Sequence, residues 1–444
     1  MHSSEIHQRP VARRGIVALI GALALVSLAV SATVTPTGAS AADSAAAAQP
    51  SMRGAAAAPE APGTIVFIKN YNVWIARGDG SGQRAVTSGG SFANPWGSPT
   101  QSDAGTIVAA QGAYIYQMNQ WGQTVRRMDP PPLKNSAGQM MDGPLVGTAV
   151  SPDGRRIAYT YTKETCPIGA SCFTRSVTGY TDTAALTPPS AYGSTFFDHP
   201  SWVTGTRTLQ NGGYLSQMNL HDLGRPEAAY WFDDRDVYGE VAATDLGNAE
   251  VTRDGRMLAA VRGYGDEQQI IWYRVVGDVR TGKPGLPEPM CWTQKGEGIT
   301  NPTWSPDGSA LAIEQPEGIE IARGITTCNN ITMAIRGGSE PSWSNARLST
   351  TRPAPRFLAL KKKPTISGTA RVGKTLRVKT GAWSPAPSMI KVRWTRDGKK
   401  IAGATKSRYK LKRADRGHRF AVTVTVKRSC YATTVKETAS KRVR

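Results

Sequence analysis

Asn301-Pro302-Thr303-Trp304-Ser305-Pro306-Asp307-Gly308 reads as a strand end running into a tight reversal. Proline fixes φ for the turn, the aspartate can bond its own backbone, and glycine takes the positive φ that reverses the chain. The phrase recurs. Val150-Ser151-Pro152-Asp153-Gly154 repeats it, and Val251-Thr252-Arg253-Asp254-Gly255 keeps the Asp-Gly half. Aligned on Trp304, six copies fall at Trp96, Val150, Trp202, Val251, Trp304 and Trp343, with steps of 54, 52, 49, 53 and 39 residues. Alternating apolar stretches follow the turns, at Arg156–Thr160, Met257–Val261 and Ala310–Ile313, and read as second strands. Third-strand candidates are Ala113–Asn119, Gly213–Asn219 and Gly318–Ala322. Strand-built repeats of roughly 40 to 55 residues are the mark of propeller blades.

The ends of the array are half-units. Gly63–Ile68 looks like a second strand with no turn phrase before it, and Pro341–Ser344 like a first strand with no partner behind it. Paired, they complete one blade and remove the exposed sheet edges. The expectation is an all-β chain with a six-bladed β-propeller over residues 63–350. Asp79-Gly80-Ser81-Gly82, followed by a strand at Gln83–Thr87, supplies a second kind of turn. Together these repeats resemble the TolB-like six-bladed propellers. The resemblance implies a fold and little about activity, because one propeller scaffold serves binding, lyase, hydrolase and accessory roles.

Arg9, Arg13 and Arg14 precede an apolar run from Ile16 to Ala32, and Ala39-Ser40-Ala41 offers a cleavage site. This pattern predicts a signal peptide over residues 1–41, a secreted, extracellular or wall-associated protein, and no transmembrane segment in the mature chain. Residues 42–62, rich in Ala and Pro, read as a disordered linker. The five cysteines all follow the signal, where disulfides are permitted. Cys166 with Cys172 would staple a hairpin. Cys291 with Cys328 would clip neighbouring blades, worth about 3 to 4 kcal/mol in the chain-entropy model. Cys430 is left over.

Charge is segregated along the chain. Residues 355–444 hold 26 lysines and arginines against 3 acids, a net of +23, while the whole chain carries +21, leaving −2 for everything before. The basic segment has strand alternation at Thr375–Lys379, Ile390–Trp394 and Phe420–Val426, which buries one face and turns Lys and Arg outward. With Pro364–Gly368, Val372–Leu376, Trp383-Ser384-Pro385, Trp394–Gly398, Ile401–Thr405 and Ala414–His418, residues 363–444 resemble the small immunoglobulin-like β-sandwich repeats of secreted actinobacterial proteins, joined by a basic linker at 351–362. The resemblance implies Trp394 at the sandwich centre and Asp415 with Gly417 at the corner before Phe420. Cys430 stands where those repeats commonly carry glycine.

So basic a module should attract an anionic cell-envelope polymer or acidic glycan. The candidate contacts are Lys361, Lys362, Lys363, Lys391, Arg393, Arg396, Lys399, Lys400, Lys410, Lys412 and Arg413. The propeller mouth would take a protein, peptide or glycan. Sequence-specific nucleic-acid recognition is not expected, since no reading helix or stacking series is present. Chemistry is scarce. There is no Gly-x-Ser-x-Gly elbow, and His199, beside Pro200 and Trp202, reads as a packing residue. Trp231-Phe232-Asp233-Asp234-Arg235-Asp236 is the densest acidic cluster and reads as an exposed loop. On a strand, Asp234 and Asp236 would share a face as a glycosidase pair or a Ca²⁺ site. No cofactor or metal is expected. The expected function is noncatalytic binding. The alternatives are a secreted carbohydrate-active enzyme and a structural envelope protein.

Overall fold

The computed structural model describes residues 62–167, 172–213, 216–428 and 430–444. The signal peptide expected at 1–41 and all of the expected linker but Pro62 lie outside the described residues. The chain is all-β, and its paired strands are antiparallel. Cys166 and Cys172 are joined as a disulfide.

Six sheets of four strands organise residues 64–344. Sheet one is composite. Ser339–Ser344 pairs with Thr64–Lys69, placing Trp343 opposite Ile65, and Asn72–Arg77 and Arg84–Ala85 follow. The other five take consecutive strands and begin with Trp96–Gln101, Gly147–Val150, Asp198–Thr204, Leu246–Val251 and Thr300–Trp304. These first strands lie against one another in chain order, and that of sheet six lies against that of sheet one. Apolar clusters fill the spaces between neighbours. Leu258 and Ile271 pack with Leu209 and Phe232 between sheets four and five. Ile319, Ile321 and Ile335 pack with Ile65 and Phe67 between sheets six and one.

The turn phrase supplies bonds between sheets as well as reversals. Trp202 Nε1 donates to Ala149 O (2.9 Å) and Trp304 Nε1 to Glu250 O (3.0 Å), each on the preceding first strand. The residue before the Trp position accepts the next copy's backbone N–H: Thr100 from Val150, Glu250 from Trp304, Thr303 from Trp343.

Trp96 breaks this pattern, because its buried Nε1 has no partner. The position equivalent to Trp304 is Gln101, since Gly105 N bonds Ser102 O as Gly308 N bonds Ser305 O. The first copy is therefore Gln101-Ser102-Asp103-Ala104-Gly105, and the interval to Val150 is 49 residues rather than 54. Gln101 also pins the composite sheet: its Oε1 accepts the Thr64 hydroxyl (2.7 Å) and the Ser344 hydroxyl (2.8 Å).

In the basic segment two sheets enclose one core. Thr365–Ser367, Thr375–Lys379 and Arg408–Lys410 form one; Lys399–Lys400, Met389–Arg396, Arg419–Lys427 and Thr434–Glu437 form the other, with Lys441–Arg442 beside Arg419–Lys427. Trp394 is fully buried among Leu376, Phe420, Val422 and Val424, and its Nε1 donates to Lys406 O. The expected linker at 351–362 is partly structure. Leu358 belongs to this core, and Ala359–Lys362 pairs with Ala382–Ser384.

Candidate functional site

The six first strands bring together, at each end, residues that are far apart in sequence. At the turn end, Asp103, Asp153, Thr204, Arg253, Asp307 and Asn345 come one from each sheet's turn and line a cavity of about 470 Å³ with Arg280. Asp153 and Asp307 are turn formers, as the sequence implies. Partial burial alone would raise their pKa values, but hydrogen bonds from Ser151 and from Ser305 and Ser309 outweigh it and hold both below the usual range. They are also cavity walls, which local sequence does not reveal. Arg253 reaches from sheet five to Asp103 of sheet two (3.0 Å), two sheets that are not neighbours.

At the other end, the first strands carry bulges at Ser98, His199, Asn248, Asn301 and Glu340, with φ of 45°, 45°, 40°, 48° and 50°. Five side-chain-bearing residues in the left-handed region cost on the order of 1 kcal/mol or more each, so the surroundings must hold them. A series of hydrogen bonds does so. Asn211 donates to Asp198 (2.9 Å) and accepts from Asn248 N (3.2 Å). Asn248 then donates to Asn301 (2.6 Å), and Asn301 to Glu314 (2.7 Å). Glu314 also accepts Glu340 N (2.7 Å), and Glu340 accepts Ser98 N. At one end of this series the Ser98 hydroxyl donates to Val146 O (3.1 Å), and at the other Ser176 of sheet three donates to Asp198 (3.2 Å). Burial raises the Glu314 pKa, against the bonds from Asn301 and Glu340. This rim of amides and carboxylates suits a ligand rich in hydroxyl or amide groups.

His199 is not the packing residue expected. It is exposed, with Nδ1 3.0 Å from Asp198. Crowding works against its protonation, but the Asp198 carboxylate prevails and lifts its pKa above the ordinary value. Four of the five bulge residues precede a proline: Pro99, Pro200, Pro302 and Pro341. That recurring dipeptide, three residues before the Trp position, was the available signal for this rim. The buried histidine is His221, stacked on Tyr180 and bonded to its hydroxyl (2.9 Å) and to Arg225 O (3.0 Å). Burial depresses its pKa, so it sits neutral between sheets three and four.

The acidic cluster is neither an exposed loop nor a strand. Asp234–Tyr238 is a short helix capped by Asp233, and both Asp233 and Asp234 are fully buried. Asp234 receives both arms of Arg262 (2.9 Å each) and Thr244 N (2.9 Å). Asp233 pairs with Arg235 (2.6 Å), and Asp236 accepts Tyr230 Oη and Asp233 N. These carboxylates have structural partners, which leaves the proposed Asp234–Asp236 pair without its shared face.

Cys291 and Cys328 are joined, linking the outer part of sheet five to sheet six, and Cys430 is half-buried. The eleven cationic candidates do not form one site. Lys361 and Lys362 lie on the strand inside the expected linker, with Lys363 just after it. Lys391 and Arg393 share a strand with Arg396, whose guanidinium pairs with buried Asp415 (3.0 Å) and is thereby committed to the fold. Lys399 and Lys400 sit on a hairpin, Lys410 is on the other sheet, and Lys412 and Arg413 enter the corner that Asp415 caps. Arg377, Lys379 and Arg408 were not among the candidates, although their spacing by two along strands was visible.

Solved structures similar to this chain include TolB from Acinetobacter baumannii, at 15% identity over 64% of this chain and 67% of that one, with a TM-score of 0.41. The Swd1 β-propeller domain from Myceliophteria thermophila matches at 13% identity, over 62% and 87%, with a TM-score of 0.36. A protein of unknown function from Bacteroides caccae matches at 10%, over 64% and 99%, with a TM-score of 0.37. The likeness is one of propeller-like, all-β fold alone. No protein-family model matches the chain, and no curated protein matches it. Among the described residues, no helix is long and apolar enough to cross a membrane.

Proposed function

We propose that this chain is an exported, noncatalytic binding protein. The six sheets are the blades of a closed six-bladed propeller, and the basic segment is an immunoglobulin-like module that attaches it to an anionic envelope polymer. The rim of Asn248, Asn301, Glu314 and Glu340 is the propeller's binding mouth, and a peptide or glycan supplies the hydroxyl and amide groups it matches.

The segregation of charge carries this reading. A segment with a net +23 over residues 355–444, joined to a chain whose remaining residues sum to −2, creates a one-sided field that draws polyanions in a salt-dependent way. Three acids in that segment cannot neutralise it. The test is sedimentation of the full chain with isolated anionic cell walls across a salt series. Binding should be strong at low ionic strength and fall steeply as salt rises. A chain that stays in the supernatant at low salt has no attachment function. Mouth binding is tested separately, by titrating wall peptides and glycans against the Asn248→Ala variant.

A further inference from the structure

The three carboxylates of the basic module are all placed away from one of its two outer faces. Asp397 pairs with His418 and accepts Arg419 N. Asp415 is buried against Arg396 and Lys412 N. Glu437 lies opposite Thr423, across from Thr395. The sheet of Thr365–Ser367, Thr375–Lys379 and Arg408–Lys410 has none.

Its register fixes what that face presents. Ile366, Leu376, Val378 and Tyr409 point to the core, so the alternate residues point outward. Arg377 stands directly opposite Arg408 and beside Ser367; Lys410 stands opposite Thr375, and Lys379 opposite Thr365. All four cations are exposed. Like charges directly opposite each other in a sheet destabilise it, and no acid on this face offsets Arg377 against Arg408.

We infer that this face is the polymer-binding surface of the module and that its ligand is a linear polyol-phosphate chain. The inference rests on the attachment function proposed above. The cations occupy three successive levels along the strands, about 7 Å apart. A flexible chain with one anion per short repeat sets successive phosphates on successive levels. Stiff uronate polymers turn successive carboxylates to opposite sides. The paired guanidinium groups grip a phosphate from two directions, the lysines serve as point charges, and Thr365, Ser367 and Thr375 offer hydroxyls to the polyol. The face carries no aromatic side chain, so it lacks the stacking platform that single-stranded nucleic acid uses.

The experiment compares two variants of the full chain that lose the same charge. One carries Arg377→Gln, Lys379→Gln, Arg408→Gln and Lys410→Gln. The other carries Lys391→Gln, Arg393→Gln, Lys399→Gln and Lys400→Gln on the opposite sheet. Binding to poly(glycerol phosphate), polygalacturonate and oligodeoxythymidylate is measured over a salt series. The first variant should bind poly(glycerol phosphate) at least about tenfold more weakly, with the log–log salt slope reduced by about 3; the second should lose less than about threefold. Equal losses in the two variants overturn the assignment to this face and leave attachment standing. A parent chain that binds walls but not poly(glycerol phosphate) overturns the ligand class alone, whereas one that binds neither ends the attachment reading as well. Equal affinity for polygalacturonate or oligodeoxythymidylate, with the same dependence on the four residues, also overturns the polyol-phosphate assignment. Should the first variant fail to fold, the doubles Arg377→Gln/Arg408→Gln and Lys399→Gln/Lys400→Gln decide the question by the same comparison.

Discussion

Carboxylates mean different things in the six-sheet region and in the basic module. In the six-sheet region acids outnumber bases, 27 to 22 over residues 64–344, and ionic pairs join its elements: Asp234 of the short helix with Arg262 of sheet five, Asp222 with Arg207 across adjacent strands, and Asp233 with Arg235 of the helix it caps. In the module, Asp415 fixes a corner and Asp397 ties the turn before Arg419, and most cations have no acid to meet. Charge in the first region is therefore mostly spent on architecture. In the second it is surplus to what folding requires, and substitutions should separate the two roles.

The largest effect should come from Asp234→Asn. The change keeps the shape but leaves the mostly buried Arg262 guanidinium without its counter-charge, and breaking one side of a buried pair costs about 3 to 5 kcal/mol. Denaturant unfolding should show that loss, with no change in polymer binding. A loss below about 1 kcal/mol would mean that Asp234 is not an architectural ion and would reopen a chemical role for the cluster. Asp415→Asn should cost less, about 2 to 3 kcal/mol. Arg396 retains solvent contact, and the asparagine oxygen can still accept Lys412 N–H. Its unfolding should be read by the fluorescence of Trp394, in the core of the same module.

How much of this the sequence disclosed depended on whether a signal was local. Asp-Gly turns and alternating strands are written within ten residues, so the sheets following Val150, Val251 and Trp304 could be placed from residues alone. In the first copy the conspicuous residue is Trp96, whereas the residue in the tryptophan's structural position is Gln101, whose two hydroxyl partners lie 37 and 243 residues away. The rim escaped for the same reason. Asn211, Asn248, Asn301 and Glu314 look like unrelated polar residues until three sheets set them side by side. Three acids near an arginine resemble an exposed loop, yet Asp233 and Asp234 are buried. Asp234's partner Arg262 is 28 residues beyond it and could not be paired with it by inspection. In the module the alternation was legible, but the register that sets Arg377 against Arg408 was not.

A pH-dependent effect separates Glu250 from these structural ions. Burial pushes its pKa up to about 7, against the Trp304 N–H it accepts. The folded chain then holds a proton that the unfolded chain, titrating near the ordinary 4.5, has released. The stability from that proton is complete below the unfolded value and is lost as pH rises through about 7. Glu250→Gln retains a neutral acceptor for Trp304 and removes the dependence. The variant should match the parent near pH 5 and be about 1 to 2 kcal/mol more stable at pH 8, allowing for the residual solvent contact of Glu250. Melting temperatures at the two pH values check this. A parallel shift at both would mean that the side chain is ionised throughout.

The smallest predicted effect bears most directly on the surplus charge. Arg377 and Arg408 face each other without an acid nearby, so Arg377→Gln should stabilise the module by about 0.5 kcal/mol at low ionic strength. The gain should fade in about 1 M salt, where the Debye length shrinks to about 3 Å and the repulsion is already screened. Arg396→Gln should do the opposite, destabilising at any salt concentration because its partner Asp415 is buried. The sign of the pair of changes is therefore more telling than their size. If Arg377→Gln destabilises as Arg396→Gln does, the guanidinium at 377 serves the fold, and the module spends its charge as the six sheets spend theirs. If it stabilises, the chain keeps Arg377 at a cost to its own folding, and a polyanion that meets both guanidinium groups at once would offset that cost.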